Sequence, residues 1–214
     1  MDQIPRHQCL VYDGAPSRQL PMLAEMLRQK LGEGFRCVFL NSPPMVAGIR
    51  SSLSAAGIDL AGEIERGNLR LLSERDYLVQ GHFDPERMIF MLNDALTQAL
   101  VDGYRGLWAT GDMTWELGPE PDFAKLAEYE WKLEEFFRYN PGLSGVCQYH
   151  ADTLPHEVMR QGLASHPALF INETLSRINP HYLPQFAVDP NAPVSAELDR
   201  ALARYLAPPG PRSD

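Results

Sequence analysis

The sequence predicts an α/β fold, a three-layer sandwich in which helices cover both faces of a mostly parallel central sheet. Two observations lead to this prediction. Short apolar runs with strand-like composition alternate with segments whose apolar residues recur at helical spacing. The order of strand, helix and strand suits right-handed crossovers, which place consecutive strands parallel in one sheet. A chain of 214 residues is long enough to bury one such core, and a second full domain would hardly fit.

Six short apolar runs are the candidate strands. They are QCLVY (8–12), RCVFLN (36–41), LRLLS (69–73), GLWAT (106–110), GVCQY (145–149) and ALFIN (168–172). Cys9, Cys37 and Cys147 all lie in these runs, and three cysteines are too few and odd in number for a disulfide framework. We therefore expect the three thiols to fill the core.

Four segments with helical periodicity are the candidate helices, and they span residues 17–32, 43–57, 84–103 and 122–139. Local signals support these limits. Asp84 is of a type preferred at a helix N-cap, Pro85 suits the first helical position, and Glu86 places an acid in the first turn. Gly103 is predicted to end the same helix.

The regular pattern breaks down from Pro180 onward. Residues 194–207 predict a last, peripheral helix, and the closing APPGPRSD predicts a disordered tail. We therefore expect one α/β domain over residues 1–184, followed by a peripheral helix and tail over residues 185–214.

Composition excludes several classes of protein. The net charge of −9 and the sequence pI of about 5.1 argue against a broad nucleic-acid surface. No apolar run approaches the roughly 18 residues that span a membrane, and the N-terminus has no apolar signal-peptide core. The sequence therefore predicts a cytoplasmic protein that binds neither nucleic acid nor membrane.

The stretch LVYDGAPSRQL (10–20) passes from a strand through a turn into a helix, which is the junction that holds phosphate in many nucleotide-binding domains. A working phosphate loop needs free backbone N–H groups followed by Gly-Lys-Ser/Thr. Here Gly14 is the only glycine, Pro16 has no N–H, and Ser17-Arg18-Gln19 stands in place of the motif. The sequence thus predicts a degraded loop without triphosphate hydrolysis.

Several stretches, taken in this order and spacing, resemble the MEDS domain, the methanogen/methylotroph, DcmR-type sensory domain. Together they span roughly residues 7–184. They are His7–Tyr12, GEGFRCVFLN (32–41), GHFDPERMI (81–89), GLWATGDMTWEL (106–117), LAEYEWKLEEFF (126–137), GVCQYHADTLP (145–155), HPALFINE (166–173) and NPHYLP (179–184). That family is similar in turn to RecA/KaiC-like ATPases that lack a working phosphate loop, in agreement with the reading of residues 13–19.

The resemblance implies a sensory domain that binds a small organic molecule and is usually joined to a DNA-binding or kinase module. The 30 residues after Pro184 are too few for either module. Three hypotheses remain open, of which the third is a scaffold or anti-regulator whose surface binds a protein. The domain passes its signal to a separate regulator or kinase, or the fold serves as a cofactor-free enzyme, a lyase or mutase of aromatic or other organic compound catabolism. The second hypothesis would use Asp112, Glu116 and His150 as its catalytic residues.

The most informative strand end is GLWATGDMTWEL, because ligands of parallel α/β sheets bind beyond the carboxyl ends of the strands. It presents Asp112, Trp115 and Glu116. An indole beside two carboxylates suits an organic ligand with an aromatic face and a cationic or hydroxyl group. The alternative is that Asp112 caps a turn and Trp115 packs in the core.

A second strand end, CQYHADTLP, offers Tyr149, His150 and Asp152. His150 is a candidate hydrogen-bond donor to a ligand or a candidate proton shuttle. The alternative is that it is an exposed loop histidine. Strand alternation places Cys147 and His150 on opposite faces, which argues against joint metal binding. We expect one cleft, with Trp115 as its aromatic wall and no metal or cofactor, formed by Arg18, Asp112, Trp115, Glu116, Tyr149 and His150.

Other polar residues have simpler interpretations. His7 and His82 read as structural turn residues, and His166, which precedes Pro167, reads as the start of a strand. Glu128, Glu130 and Glu134 share a helix with Lys125 and Lys132, a pattern typical of a solvated charged face.

Overall fold

The computed structural model describes residues 5–78, 81–116, 122–171, 174–178 and 182. These residues form one seven-stranded sheet with the strand order β3-β2-β4-β5-β1-β6-β7. Strands β1 to β6 pair in parallel and β7 pairs antiparallel with β6. The strands are β1 (His7–Tyr12), β2 (Arg36–Leu40), β3 (Leu69–Leu72), β4 (Leu107–Asp112), β5 (Leu143–His150), β6 (Ala168–Ile171) and β7 (Thr174–Ile178).

Helices occupy the connections between the strands. They are α1 (Leu20–Gly32), preceded by a 3₁₀ turn at Pro16–Gln19, and α2 (Pro43–Ala55), α3 (Leu60–Glu65), α4 (Glu74–Tyr77), α5 (Pro85–Val101), α6 (Met113–Glu116), α7 (Phe123–Tyr139) and α8 (His156–Ser165). The predicted cap of α5 is confirmed, because the carboxylate of Asp84 accepts the backbone N–H of Arg87 at 3.1 Å. Among the described residues, no helix has the length and apolar character needed to cross a membrane.

Two apolar cores lie on the two faces of the sheet, so the three-layer α/β prediction is confirmed. On one face, Leu10 and Phe39 pack with α1 and α2. On the other, Cys9, Val11 and Cys147 pack with α5, α7 and α8. Because side chains alternate along a strand, β1 and β5 supply both cores.

The six predicted strands and four predicted helices are all present, with ends shifted by a few residues. Short or marginal elements were not predicted: α3, α4, α6, α8 and the antiparallel β7. Helices α3, α4 and α6 have only four to six residues, too few for a helical signal in the sequence. The ten-residue α8 and strand β7 were missed without this reason. The predicted helix at 194–207 and the C-terminal tail lie outside the described residues.

Candidate functional site

Three neighbouring strands, β4, β5 and β1, end at the same edge of the sheet and bring polar side chains together there. The hydroxyl of Tyr12 donates a hydrogen bond to Asp112 Oδ2 at 2.7 Å. The other carboxylate oxygen of Asp112 accepts the backbone N–H of Thr114 at 2.8 Å. Burial raises the pKa of Asp112, and these two hydrogen bonds oppose the rise. Asp112 therefore has both of its oxygens engaged inside the protein.

His150 joins this group from the end of β5 and is buried, unlike an exposed loop histidine. Its ring stacks on Tyr12, with centroids 4.9 Å apart and planes at 18°. Nε2 lies 2.8 Å from the carbonyl oxygen of Gly14, which only accepts, so the proton is assigned to Nε2. Nδ1 then accepts the hydroxyl of Thr153 at 2.9 Å. Both ring nitrogens of His150 are engaged.

Hydrogen bonds to Asp152 and within the loop itself hold the loop that follows β1. The N–H of Gly14, which has a φ of 71°, donates to the Asp152 carboxylate at 2.8 Å. The N–H of Arg18 donates to the carbonyl of Ala15 at 3.0 Å, and Pro16 has no N–H to offer. The backbone N–H of Gly14 is thus hydrogen-bonded to a carboxylate, whereas a phosphate-binding loop leaves such an N–H free for the phosphate. Arg18 itself is exposed beside this loop.

We expect no magnesium-dependent ATP hydrolysis by this protein, because the loop has no Gly-Lys-Ser/Thr and the amides of Gly14 and Arg18 are engaged. Phosphate release should stay at the background rate in the wild-type protein and in Arg18→Ala alike. A turnover above background that disappears in Arg18→Ala would contradict this reading of the loop.

Polar atoms without a partner surround the same edge. Among the described residues, Gln19 Oε1, Asn41 Nδ2 and Thr114 Oγ1 are buried and have no hydrogen-bond partner. Gln19 lies just before α1, Asn41 follows β2, and Thr114 follows β4. A buried polar atom that lacks a partner costs about 1–3 kcal/mol, so such atoms favour a ligand that satisfies them.

The structure brings together only part of the predicted cleft. Asp112 and His150 both contact Tyr12 at the carboxyl edge, whereas Arg18 is exposed in the 3₁₀ turn beside the loop after β1. Trp115 and Glu116 lie in α6 directly after β4, and their side chains are outside the described part. Tyr149 does not join them. Its ring is buried on the opposite face of the sheet, edge-on to His166 with centroids 5.8 Å apart. Alternation along β5 is the reason, since residues 149 and 150 must point to opposite faces.

The face that holds Tyr149 contains a second polar group that sequence reasoning missed. Side-chain atoms of His7, Glu130, Cys147 and His166 lie within 4.8 Å of one another, and all four residues are buried. We call these four residues the buried cluster. The interpretation of Glu130 and Glu134 as members of a solvated face is wrong, because their exposed fractions are 2% and 5%.

Burial controls the protonation of the buried cluster. It lowers the pKa of His7 to about 3 and that of His166 well below its ordinary value, so both rings are neutral at pH 7. Burial also raises the pKa of Glu130 to about 8, a rise that the nearby Tyr149 hydroxyl opposes only in part. One signal in the sequence could have revealed this group. Glu130 falls on the same helical stripe as Leu126, Leu133 and Phe137, which are core residues.

A small apolar cavity lies between the sheet and helices α5 and α7. Its volume is about 20 Å³, and its lining includes Leu92, Met113 and Tyr129. That volume suffices for a water-sized molecule but not for an aromatic ring, since a cavity that binds benzene measures about 150 Å³. The carboxyl edge is therefore the better candidate site for an organic ligand.

Comparison with known proteins supports the fold and identifies the family. The family model described as MEthanogen/methylotroph, DcmR Sensory domain (MEDS) matches residues 6–167. A solved structure of a KaiC-like protein from the hyperthermophilic archaeon Pyrococcus horikoshii OT3 is similar, with a TM-score of 0.53 and 12% identity over 76% of this chain and 68% of that chain. At this identity the similarity shows a shared fold, that of a KaiC-like RecA-type protein. No curated protein sequence matches the chain.

Proposed function

Because the chain belongs to the MEDS family of sensory domains, we propose that it binds a small organic molecule and passes the signal to a separate protein, a regulator or a kinase. The observation that carries the proposal is the set of unpartnered polar atoms at the carboxyl edge. Gln19 Oε1 accepts, Asn41 Nδ2 donates, and Thr114 Oγ1 does either. A ligand hydroxyl, which both donates and accepts, matches this combination.

Trp115, which lies in α6 directly after β4, stays the predicted aromatic partner of the ligand. Burying a small aromatic molecule of roughly 150 Å² at about 25 cal/mol per Å² yields at most ~4 kcal/mol before association costs. Micromolar affinity requires about 8 kcal/mol. Polar contacts at the carboxyl edge would therefore supply much of the affinity and most of the selectivity among ligands.

The engagement of Asp112 and His150 favours binding over catalysis. A general acid or base needs an atom within hydrogen-bond reach of the proton that it moves. Both oxygens of Asp112 and both ring nitrogens of His150 are instead held by protein groups. In this arrangement the two side chains shape and stiffen the edge, and a lyase or mutase mechanism through them would have to break these contacts first.

We expect Gln19→Leu to weaken ligand binding about tenfold, the effect of losing roughly one hydrogen bond, without lowering the stability of the protein. Leucine has a similar volume and removes a buried acceptor that has no partner among the described residues. The measurement is calorimetric titration with phenol, benzyl alcohol and benzylamine. The compound that binds the wild-type protein most tightly is then used to compare the variants.

Gln29→Leu is the matched control, because Gln29 lies on the exposed surface of α1. It should leave binding unchanged. Equal losses in the two variants, or the absence of saturable binding in the wild-type protein, would contradict a site at this edge. Conversion of a bound probe into product would replace the sensory proposal with the enzyme hypothesis.

A further inference from the structure

The atoms of the buried cluster are spaced like the ligands of one metal ion. His7 Nε2 lies 3.6 Å from Cys147 Sγ, and His166 Nε2 lies 3.4 Å from Glu130 Oε2. His7 Nε2 and Glu130 Oε2 are 4.0 Å apart. Zinc bonds of about 2.0–2.3 Å in a tetrahedron separate the ligand atoms by roughly 3.3–3.8 Å. The three printed separations are within a few tenths of an ångström of this range, and the widest pair, at up to 4.8 Å, would have to close by about 1 Å to complete such a tetrahedron.

The two histidines are oriented as metal ligands are. His7 Nδ1 lies 2.8 Å from the carboxylate of Glu134, and His166 Nδ1 lies 2.6 Å from the carbonyl oxygen of Gly162. Each Nδ1 therefore carries the proton, and each Nε2 directs a lone pair toward the cluster. A metal-binding histidine characteristically donates its other N–H to a carboxylate or a carbonyl, which fixes the ring and its tautomer.

Charge also favours a divalent cation at this place. Two neutral imidazoles, one thiolate and one carboxylate carry a total charge of −2, which neutralises the ion inside an apolar core. Within the described part of the chain, no hydrogen bond of good geometry satisfies either oxygen of Glu130, although the residue is 2% exposed and the Tyr149 hydroxyl is nearby. Buried carboxylates are normally paired or bound to metal, so an ion would supply the missing partner.

We propose that His7, Glu130, Cys147 and His166 form a structural metal centre for a zinc-class divalent ion. Mixed nitrogen, sulfur and oxygen ligands select such metals over Mg²⁺ and Ca²⁺, which prefer oxygen alone. Four protein ligands leave no open position, as in structural rather than catalytic sites. The ligands come from β1, α7, β5 and the residue after α8. The ion thus ties two helices to the sheet, on the face opposite His150 and independently of the proposed ligand site.

The first experiment uses the wild-type protein. Purified full-length protein should contain about one equivalent of zinc by mass spectrometry. After removal of that metal with a chelator, added Co²⁺ should produce the visible bands of tetrahedral cobalt and a thiolate-to-metal charge-transfer band. Protein that contains no metal and takes up neither Zn²⁺ nor Co²⁺ would overturn the proposal. Cobalt binding without a thiolate band would overturn it equally.

The second experiment compares two cysteines. Cys147→Ser should lose the metal and the thiolate band, whereas Cys37→Ser, which alters a buried thiol on the opposite face of the sheet, should retain both. Retention of the cobalt thiolate band in Cys147→Ser would contradict the assignment. If Cys147→Ser does not fold by circular dichroism, the wild-type cobalt spectrum decides, together with the milder variant Glu130→Gln, which should bind metal at least tenfold more weakly.

Discussion

Replacing Gly145 with alanine is expected to destabilise the protein by roughly 3 kcal/mol or more, the upper range for overpacking in a core. A Cβ atom at this position would lie 2.2 Å from the carbonyl oxygen of Ala109 and 3.3 Å from the ring of Phe137. Gly145 is in β5, which is hydrogen-bonded to β4 on one side and β1 on the other. The backbone cannot move aside without breaking parallel ladders at the centre of the sheet.

Gly32→Ala is the matched control for Gly145→Ala. Apart from its chain neighbours and the backbone of its own helix, no atom lies within 4 Å of a Cβ placed at Gly32, the last residue of α1. Because alanine restricts the unfolded chain and favours helix, this change should raise stability by about 0.4–1 kcal/mol. Urea unfolding monitored by circular dichroism measures both variants. A Gly145→Ala protein as stable as the wild type would show that the central strands are spaced differently from the structure.

Replacing Phe137 with alanine is the second large loss that we expect, about 3–5 kcal/mol in the free energy of unfolding. The side chain is 5% exposed and stacks on the His7 ring, with centroids 4.3 Å apart and planes at 13°. Phe137 also lines the existing cavity, so its truncation enlarges a void instead of allowing the core to collapse.

Phe90→Ala tests the same chemical change at the surface. Phe90 is 70% exposed, so its truncation should change the free energy of unfolding by no more than about 0.5 kcal/mol. The two variants are compared by their urea midpoints at constant slope. Similar losses at the two positions would contradict the burial that the structure assigns to α7.

Strand β5 contributes residues to both the buried cluster and the group of polar side chains at the carboxyl edge. In β5, Cys147 belongs to the buried cluster, and His150 belongs to the carboxyl-edge group. The odd-numbered residues of the strand point toward α7 and α8, while the even-numbered ones point toward α1 and α2. This alternation explains why Cys147 and His150 do not share a site, as the sequence predicts, and why Tyr149 lies outside the predicted cleft.

Sequence reasoning recognised the individual components of the carboxyl edge but not their contacts. The polar residues after β4 and β5 follow from the rule that ligands bind beyond the carboxyl ends of parallel strands. Tyr12 was not predicted as a partner of Asp112, because nothing in the local pattern links residues 100 positions apart. Asp152 likewise closes the loop at Gly14 through a contact across 138 positions.

The sequence by itself determined the fold class, the order of the main elements and the degraded phosphate loop, because periodicity, caps and turn residues act over a few positions. Only the tertiary structure decided which polar residues meet. His7, Glu130, Cys147 and His166 each looked ordinary in its own segment, as a turn residue, a surface acid, a core thiol and the start of a strand. Packing α7 and α8 onto β1 and β5 buried all four in one place, and burial is a property of the assembled layers rather than of any local stretch of sequence.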